Sequence, residues 1–73
     1  MLTAEIKVNG ALVGVLYARN VTQGPFKDPE YSPNEYEIEY YRTGKGLRTD
    51  RISHVPKDGI EALIVASVER LAK

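Results

Sequence analysis

The chain has no cysteine and a single histidine. Without cysteine there is no disulfide and no thiolate metal site. One histidine with no second imidazole leaves the usual zinc ligand sets incomplete. A cysteine-free composition fits a reducing cytosol, and a cytoplasmic chain is the expectation. Charge of one sign is also lacking: ten Lys plus Arg stand against ten Asp plus Glu. General nucleic-acid and anionic-membrane binders carry a clear basic excess, so the balance argues against both while leaving room for a local basic patch. Long apolar runs are missing too. The longest, Ala11 to Ala18, is broken by Gly14 and falls far short of the roughly 20 residues a membrane-spanning helix needs. The opening MLTAEIKV has neither the basic start nor the apolar block of a signal peptide, so no membrane partner is expected. At 73 residues one domain over 1–73 is expected, with a core supplying only about 3–5 kcal/mol net. With disulfides excluded, self-association is the remaining way to add stability.

What is present is alternation. Thr3 to Val8 sets Ala4, Ile6 and Val8 against Thr3, Glu5 and Lys7, the period of a half-buried strand. Asn9-Gly10 follows, a strong hairpin signal because a type I′ turn needs positive φ at both central residues. Ala11 to Arg19 is then the returning strand. A two-residue loop pairs Val8 with Ala11, Ile6 with Val13 and Ala4 with Val15. That register buries Ala4, Ile6, Val8, Val13, Val15 and Tyr17, and puts Leu12, Leu16 and Ala18 on the opposite face. Residues 20–34 have no period and contain Gly24, Pro25, Pro29 and Pro33; they read as a loop.

Glu35 to Arg42 alternates again, with Tyr36, Ile38 and Tyr40 on one face and Glu35, Glu37, Glu39 and Tyr41 on the other. Thr43 to Leu47 is a turn, and residues 48–55 form the last strand. A three-residue loop of Gly44, Lys45 and Gly46 sets Ile38 opposite Ile52, Tyr36 opposite His54, and Glu39 opposite Arg51. The remainder, DGIEALIVASVERLAK, is the one amphipathic helix, about 59–72. Its apolar stripe is Ile60, Leu63, Ile64, Val68 and Leu71. Asp58 is placed as the N-cap, with Glu61 completing a capping box, and Glu69 and Lys73 form an i, i+4 pair. With strands at 3–8, 11–19, 35–42 and 48–55, the class is α+β: a four-stranded antiparallel meander of two hairpins with a C-terminal helix on one face, ββββα.

Four residue groups carry chemistry of interest. Ser53, His54 and Asp58 hold the letters of a nucleophilic triad, but neighbours on a strand point to opposite faces, so no catalytic residue and no cofactor is expected. Glu35, Glu37 and Glu39 share a face at about 6.5–7 Å spacing, too far apart to share a cation; a solvated face balanced by Lys7 and Arg51 is expected instead. Arg42, Lys45, Arg48 and Arg51 surround the second hairpin with only Asp50 among them, a candidate nucleic-acid contact. Finally, Leu12, Leu16 and Ala18 make an apolar patch on the face away from the helix, rimmed by Lys7, Glu37, Glu39, Tyr41 and Arg51, which is the pattern of a contact surface. In a competing arrangement the loop folds back, with Phe26 or Tyr31 on Leu12 and Leu16.

The first functional expectation is therefore a small non-enzymatic accessory or protein-interaction module. It contacts another protein or self-associates as a homodimer through Leu12, Leu16, Lys7, Glu37, Glu39 and Tyr41. The runner-up is a nucleic-acid-binding module using Arg42, Lys45, Arg48 and Arg51.

Overall fold

The computed structural model describes residues 1–24 and 28–72. Four strands, β1 (Leu2–Val8), β2 (Ala11–Asn20), β3 (Asn34–Arg42) and β4 (Gly46–His54), form one antiparallel sheet in sequence order. A 3₁₀ turn, Pro56–Asp58, leads into the helix α1, Ile60–Leu71. The expected ββββα meander is thus present. Among the described residues no helix is long and apolar enough to cross a membrane.

The first hairpin turns as its sequence demands. Asn9 and Gly10 both have positive φ, 52° and 81°, and Val8 pairs with Ala11. The ladder then departs from the expected register. Lys7 pairs with Leu12, but Ile6 pairs with Gly14, so Val13 is an extra residue. A bulge of one residue exchanges the faces of everything beyond it. Ala4 lies opposite Leu16 and Leu2 opposite Ala18, and Leu16 and Ala18 are buried. Val15 and Tyr17, expected inside, lie on the face away from the helix. The bulge has a physical reason. Uninterrupted pairing would turn Tyr17 and the charged Arg19 toward the helix; with the bulge, Arg19 instead ion-pairs Glu37 on the open face.

The second hairpin keeps its expected faces but slips by two residues. Lys45 N–H donates to the Arg42 carbonyl at 2.9 Å, Gly44 and Gly46 have φ near +79° and +78°, and Arg42 pairs with Gly46. Ile38 therefore faces Asp50, Tyr36 faces Ile52, and Arg51 meets Glu37 rather than Glu39. The loop is Thr43-Gly44-Lys45, one residue earlier than expected. The glycine with positive φ after it enters the strand as a bulge-like first residue.

The helix also starts later than its sequence signals. Gly59 occupies the N-cap with φ 87°, and no side chain caps the helix. Asp58 lies in the 3₁₀ turn, its N–H donating to the Val55 carbonyl at 3.0 Å, so the Asp58–Glu61 capping box does not form. A non-glycine at position 59 would meet the left-handed penalty. The buried helix positions are Leu63, Ser67 and Leu71, one every fourth residue, with Ile64 and Val68 half-buried and Ile60 largely exposed. Ser67 is fully buried and donates to the Leu63 carbonyl at 2.7 Å, so its hydroxyl is satisfied without a partner on the sheet. Lys73 lies outside the described residues, and with it the expected pair with Glu69. Leu63 and Leu71 complete a core with Leu16, Ala18, Ile38 and Tyr40. A second tie is the ion pair of Arg70 with Asp50, 2.6 Å from Nε to Oδ2.

Glu30 and Tyr31 of the connecting loop meet the 3₁₀ turn at the end of the molecule where α1 begins. Lys57 N–H donates to the Glu30 carbonyl at 2.9 Å. The Lys57 ammonium sits 5.6 Å from the centre of the Tyr31 ring. Tyr31 is therefore engaged at the 3₁₀ turn and does not cover Leu12 or Leu16. Phe26, the other candidate cover, lies outside the described residues.

Candidate functional site

Two surfaces gather the chemistry of this chain: the open face of the sheet, and a cleft where the second hairpin meets the end of α1. On the open face the ladder aligns one row across four strands: Glu5, Val15, Tyr41 and Leu47. The next row is Thr3, Tyr17, Glu39 and Thr49, and the one beyond joins Arg19, Glu37 and Arg51. Cross-strand neighbours on one face stand about 4.5–5.5 Å apart at Cβ, so Val15, Tyr41, Leu47 and Tyr17 form a contiguous apolar strip. Tyr41 and Leu47 are each more than half exposed.

Arg19 and Arg51 both hydrogen-bond Glu37, the latter at 2.9 Å from Nη2 to Oε1. Those two guanidiniums hold the Glu37 carboxyl below the usual range, Arg19 contributing most. Glu35 accepts from the Ser53 hydroxyl. The three strand glutamates are therefore engaged differently, two of them by neighbouring side chains. Among the described residues no group of three or more acidic or imidazole side chains is placed to hold a metal ion. A shallow cavity of about 340 Å³ lies on this face between Met1, Tyr17, Arg19, Glu37 and Glu39.

The expected contact residues divide. Tyr41, Glu37 and Glu39 lie on the open face as anticipated. Lys7 pairs with Leu12 at the hairpin end, where it also reaches Glu5 at 3.8 Å, and Leu12 is half exposed. Leu16 does not belong to any contact surface: it is fully buried against α1 because the bulge at Val13 reverses its face. Ala18 is buried with it. Val15, Tyr17 and Leu47 take their places in the strip. Parity alone could not find Val15 and Tyr17, because β2 is apolar at both parities.

The second surface lies on the helix side. Arg42, Lys45 and Arg48 line a cleft of about 330 Å³ with Tyr40, Leu71 and Ala72. Arg48 is there because it pairs with Tyr40, whose side chain faces the helix. Arg42 is fixed by donating from Nη1 to the Ala72 carbonyl at 3.3 Å. Arg51 does not join them. It lies three residues from Arg48, hence on the other face of the strand, bound to Glu37. The four basic residues are thus three plus one.

Ser53 and His54 sit on opposite faces. Ser53 bonds Glu35, while His54 packs edge-on against Tyr36 at 6.2 Å between ring centres. Comparison with protein-family models, with curated proteins and with solved structures finds no match to this chain.

Proposed function

We infer that this chain is a small protein-contact module that pairs with a second copy of itself through the open face of its sheet. The observation that carries the reading is the apolar strip of Val15, Tyr41, Leu47 and Tyr17 running across the strands, with Tyr41, Leu47 and Tyr17 exposed. Contiguous apolar surface rimmed by charge marks contact sites, and tyrosine is favoured at such surfaces because an apolar ring ends in a polar group.

Three features favour a copy of the same chain over an unlike partner. The face carries Lys7, Arg19 and Arg51 against Glu5, Glu35, Glu37 and Glu39, so no single-sign field repels an identical surface. Four strands of about nine residues span roughly 19 by 30 Å, the scale of the patch each partner gives to a standard interface of about 800 Å² per side. The cavity beside Tyr17 offers a recess on the face that presents Tyr41 and Leu47, the self-complementarity a two-fold contact needs.

The test is the mass in solution. Size-exclusion with light scattering on the intact chain is expected to give a mass near twice the 8.2 kDa of the chain. Tyr41→Glu and Leu47→Glu, both at exposed positions, are expected to return the monomer with the fold retained by circular dichroism. Leu16→Glu buries a charge in the core and unfolds the chain, so it says nothing about the contact. A wild type that stays at the monomer mass at millimolar concentration removes this reading.

A further inference from the structure

The cleft on the helix side is built differently from the open face. Three cationic side chains, Arg42, Lys45 and Arg48, converge on it, and no carboxylate of the described residues lines it. Asp50, two residues beyond Arg48 on the same strand, is held by Arg70 and by the Arg51 backbone N–H. Its wall is completed by Leu71, Ala72 and Tyr40.

Tyr40 supplies the second, independent observation. The residue is only 3% exposed. Its ring lies across Gly14: a Cβ built there would be 2.3 Å from Tyr40 Cε1 and 2.8 Å from Cζ. Gly14 pairs with Arg42, so the hydroxyl end of the ring is carried one ladder step toward the basic end. The hydroxyl makes no hydrogen bond to another described residue, and among those residues no enclosed side-chain polar atom is left without a partner. The phenol oxygen is therefore not sealed in the core, and Tyr40 lines the cleft. A nearly buried donor with no partner among the described residues thus stands at a recess ringed by cations.

We propose that this cleft binds the dianionic phosphate group of a small molecule, the Tyr40 hydroxyl and the Arg48 and Lys45 side chains donating to its oxygens. Arginine matches phosphate through its planar fork and lysine as a point charge. The C-terminal end of α1 opposes this with about half an elementary negative charge. Three full cations outweigh it, and Arg42 already donates to the Ala72 carbonyl. A volume of about 330 Å³ exceeds what a lone phosphate fills, leaving room beside Leu71 and Ala72 for an organic group. A nucleic-acid backbone is disfavoured: Arg51, the residue that would extend the basic track, is on the opposite face, and the net charge is zero.

The experiment titrates the intact chain with phenyl phosphate, inorganic phosphate and a ten-residue oligothymidylate at matched phosphate concentration. Amide shifts follow the cleft residues Tyr40, Arg42, Lys45, Arg48, Leu71 and Ala72. Saturable one-to-one binding of phenyl phosphate at these residues is expected. Tighter binding than inorganic phosphate assigns the site to a phosphate ester, and equal binding assigns it to phosphate itself. Lys45→Gln and Arg48→Gln, at exposed positions, are each expected to weaken it about tenfold. Tyr40→Phe keeps the ring on Gly14 and is expected to weaken binding by a smaller factor. Absence of saturation, unchanged affinity in both charge variants, or oligothymidylate binding tighter than phenyl phosphate through the same residues overturns the proposal. The open-face contact uses Tyr41 and Leu47, which do not line the cleft, so the two readings fail separately.

Discussion

Gly14 shows how one residue without a side chain can decide the faces of a strand. It has ordinary extended φ, so its value is space rather than conformational freedom. A methyl group there would meet Tyr40 Cε1 at 2.3 Å and the Tyr41 carbonyl oxygen at 2.7 Å. The ring is nearly buried in the cluster of Leu16, Ile38, Leu63 and Leu71, and the carbonyl belongs to a paired strand. Relief must come from the core. Overpacking of this kind costs about 1–3 kcal/mol. Gly14→Ala is expected to lower the free energy of unfolding by that amount in urea titration with an unchanged slope. A variant as stable as wild type would mean that Tyr40 has another place to go. Glycine 59 is constrained by its backbone instead, with φ of 87° at the helix N-cap, and it displaces the Asp58 cap that its sequence neighbours suggested.

At the scale of the element, the strands and the helix were legible because each has a clean period. Their registers were not. Strand β2 is apolar at both parities, Leu12 and Leu16 on one, Val13 and Val15 on the other, so alternation fits either face. The choice is made by contacts distant in sequence, the Tyr40 ring over Gly14 and Glu37 waiting for Arg19. The division of the basic hairpin was legible in part: Arg48 and Arg51 differ in parity whatever the register, so only one of the two could share a face with Tyr40, and the register of the second hairpin makes it Arg48. What no pattern displayed is the Arg70–Asp50 tie between α1 and β4. Arg70, helped by the Arg51 backbone N–H, holds the Asp50 carboxyl below its ordinary range. A carboxyl lowered on folding adds stability above its unfolded pKa near 4 and loses it as the pH falls through the lowered value. Urea midpoints compared at pH 7 and pH 3 are expected to fall further for wild type than for Arg70→Ala. Because the pair is exposed the difference is small, and equal falls in the two proteins would show that the tie contributes nothing to acid sensitivity.

For the whole molecule the governing facts are a small core and a broad sheet face that no described residue covers. Among the described residues six apolar side chains, Leu16, Ala18, Ile38, Tyr40, Leu63 and Leu71, are buried, and a core of this size supplies little net stability by itself. Disulfides are excluded by composition. Association through the open face would supply it by mass action, since a partner that binds only the folded chain shifts the unfolding equilibrium. Stability then depends on concentration in a way no monomer shows. For a pair that unfolds as it separates, a tenfold rise in concentration adds about 1.4 kcal/mol per dimer and raises Tm by roughly 3–6 °C. Calorimetric scans from about 10 μM to about 1 mM are expected to follow that slope. The Tyr41→Glu, Leu47→Glu double variant is expected to melt at one temperature throughout, below wild type at every concentration. A wild-type Tm that does not move with concentration would show that the folded chain stands alone, and that the strip on its open face serves no copy of itself.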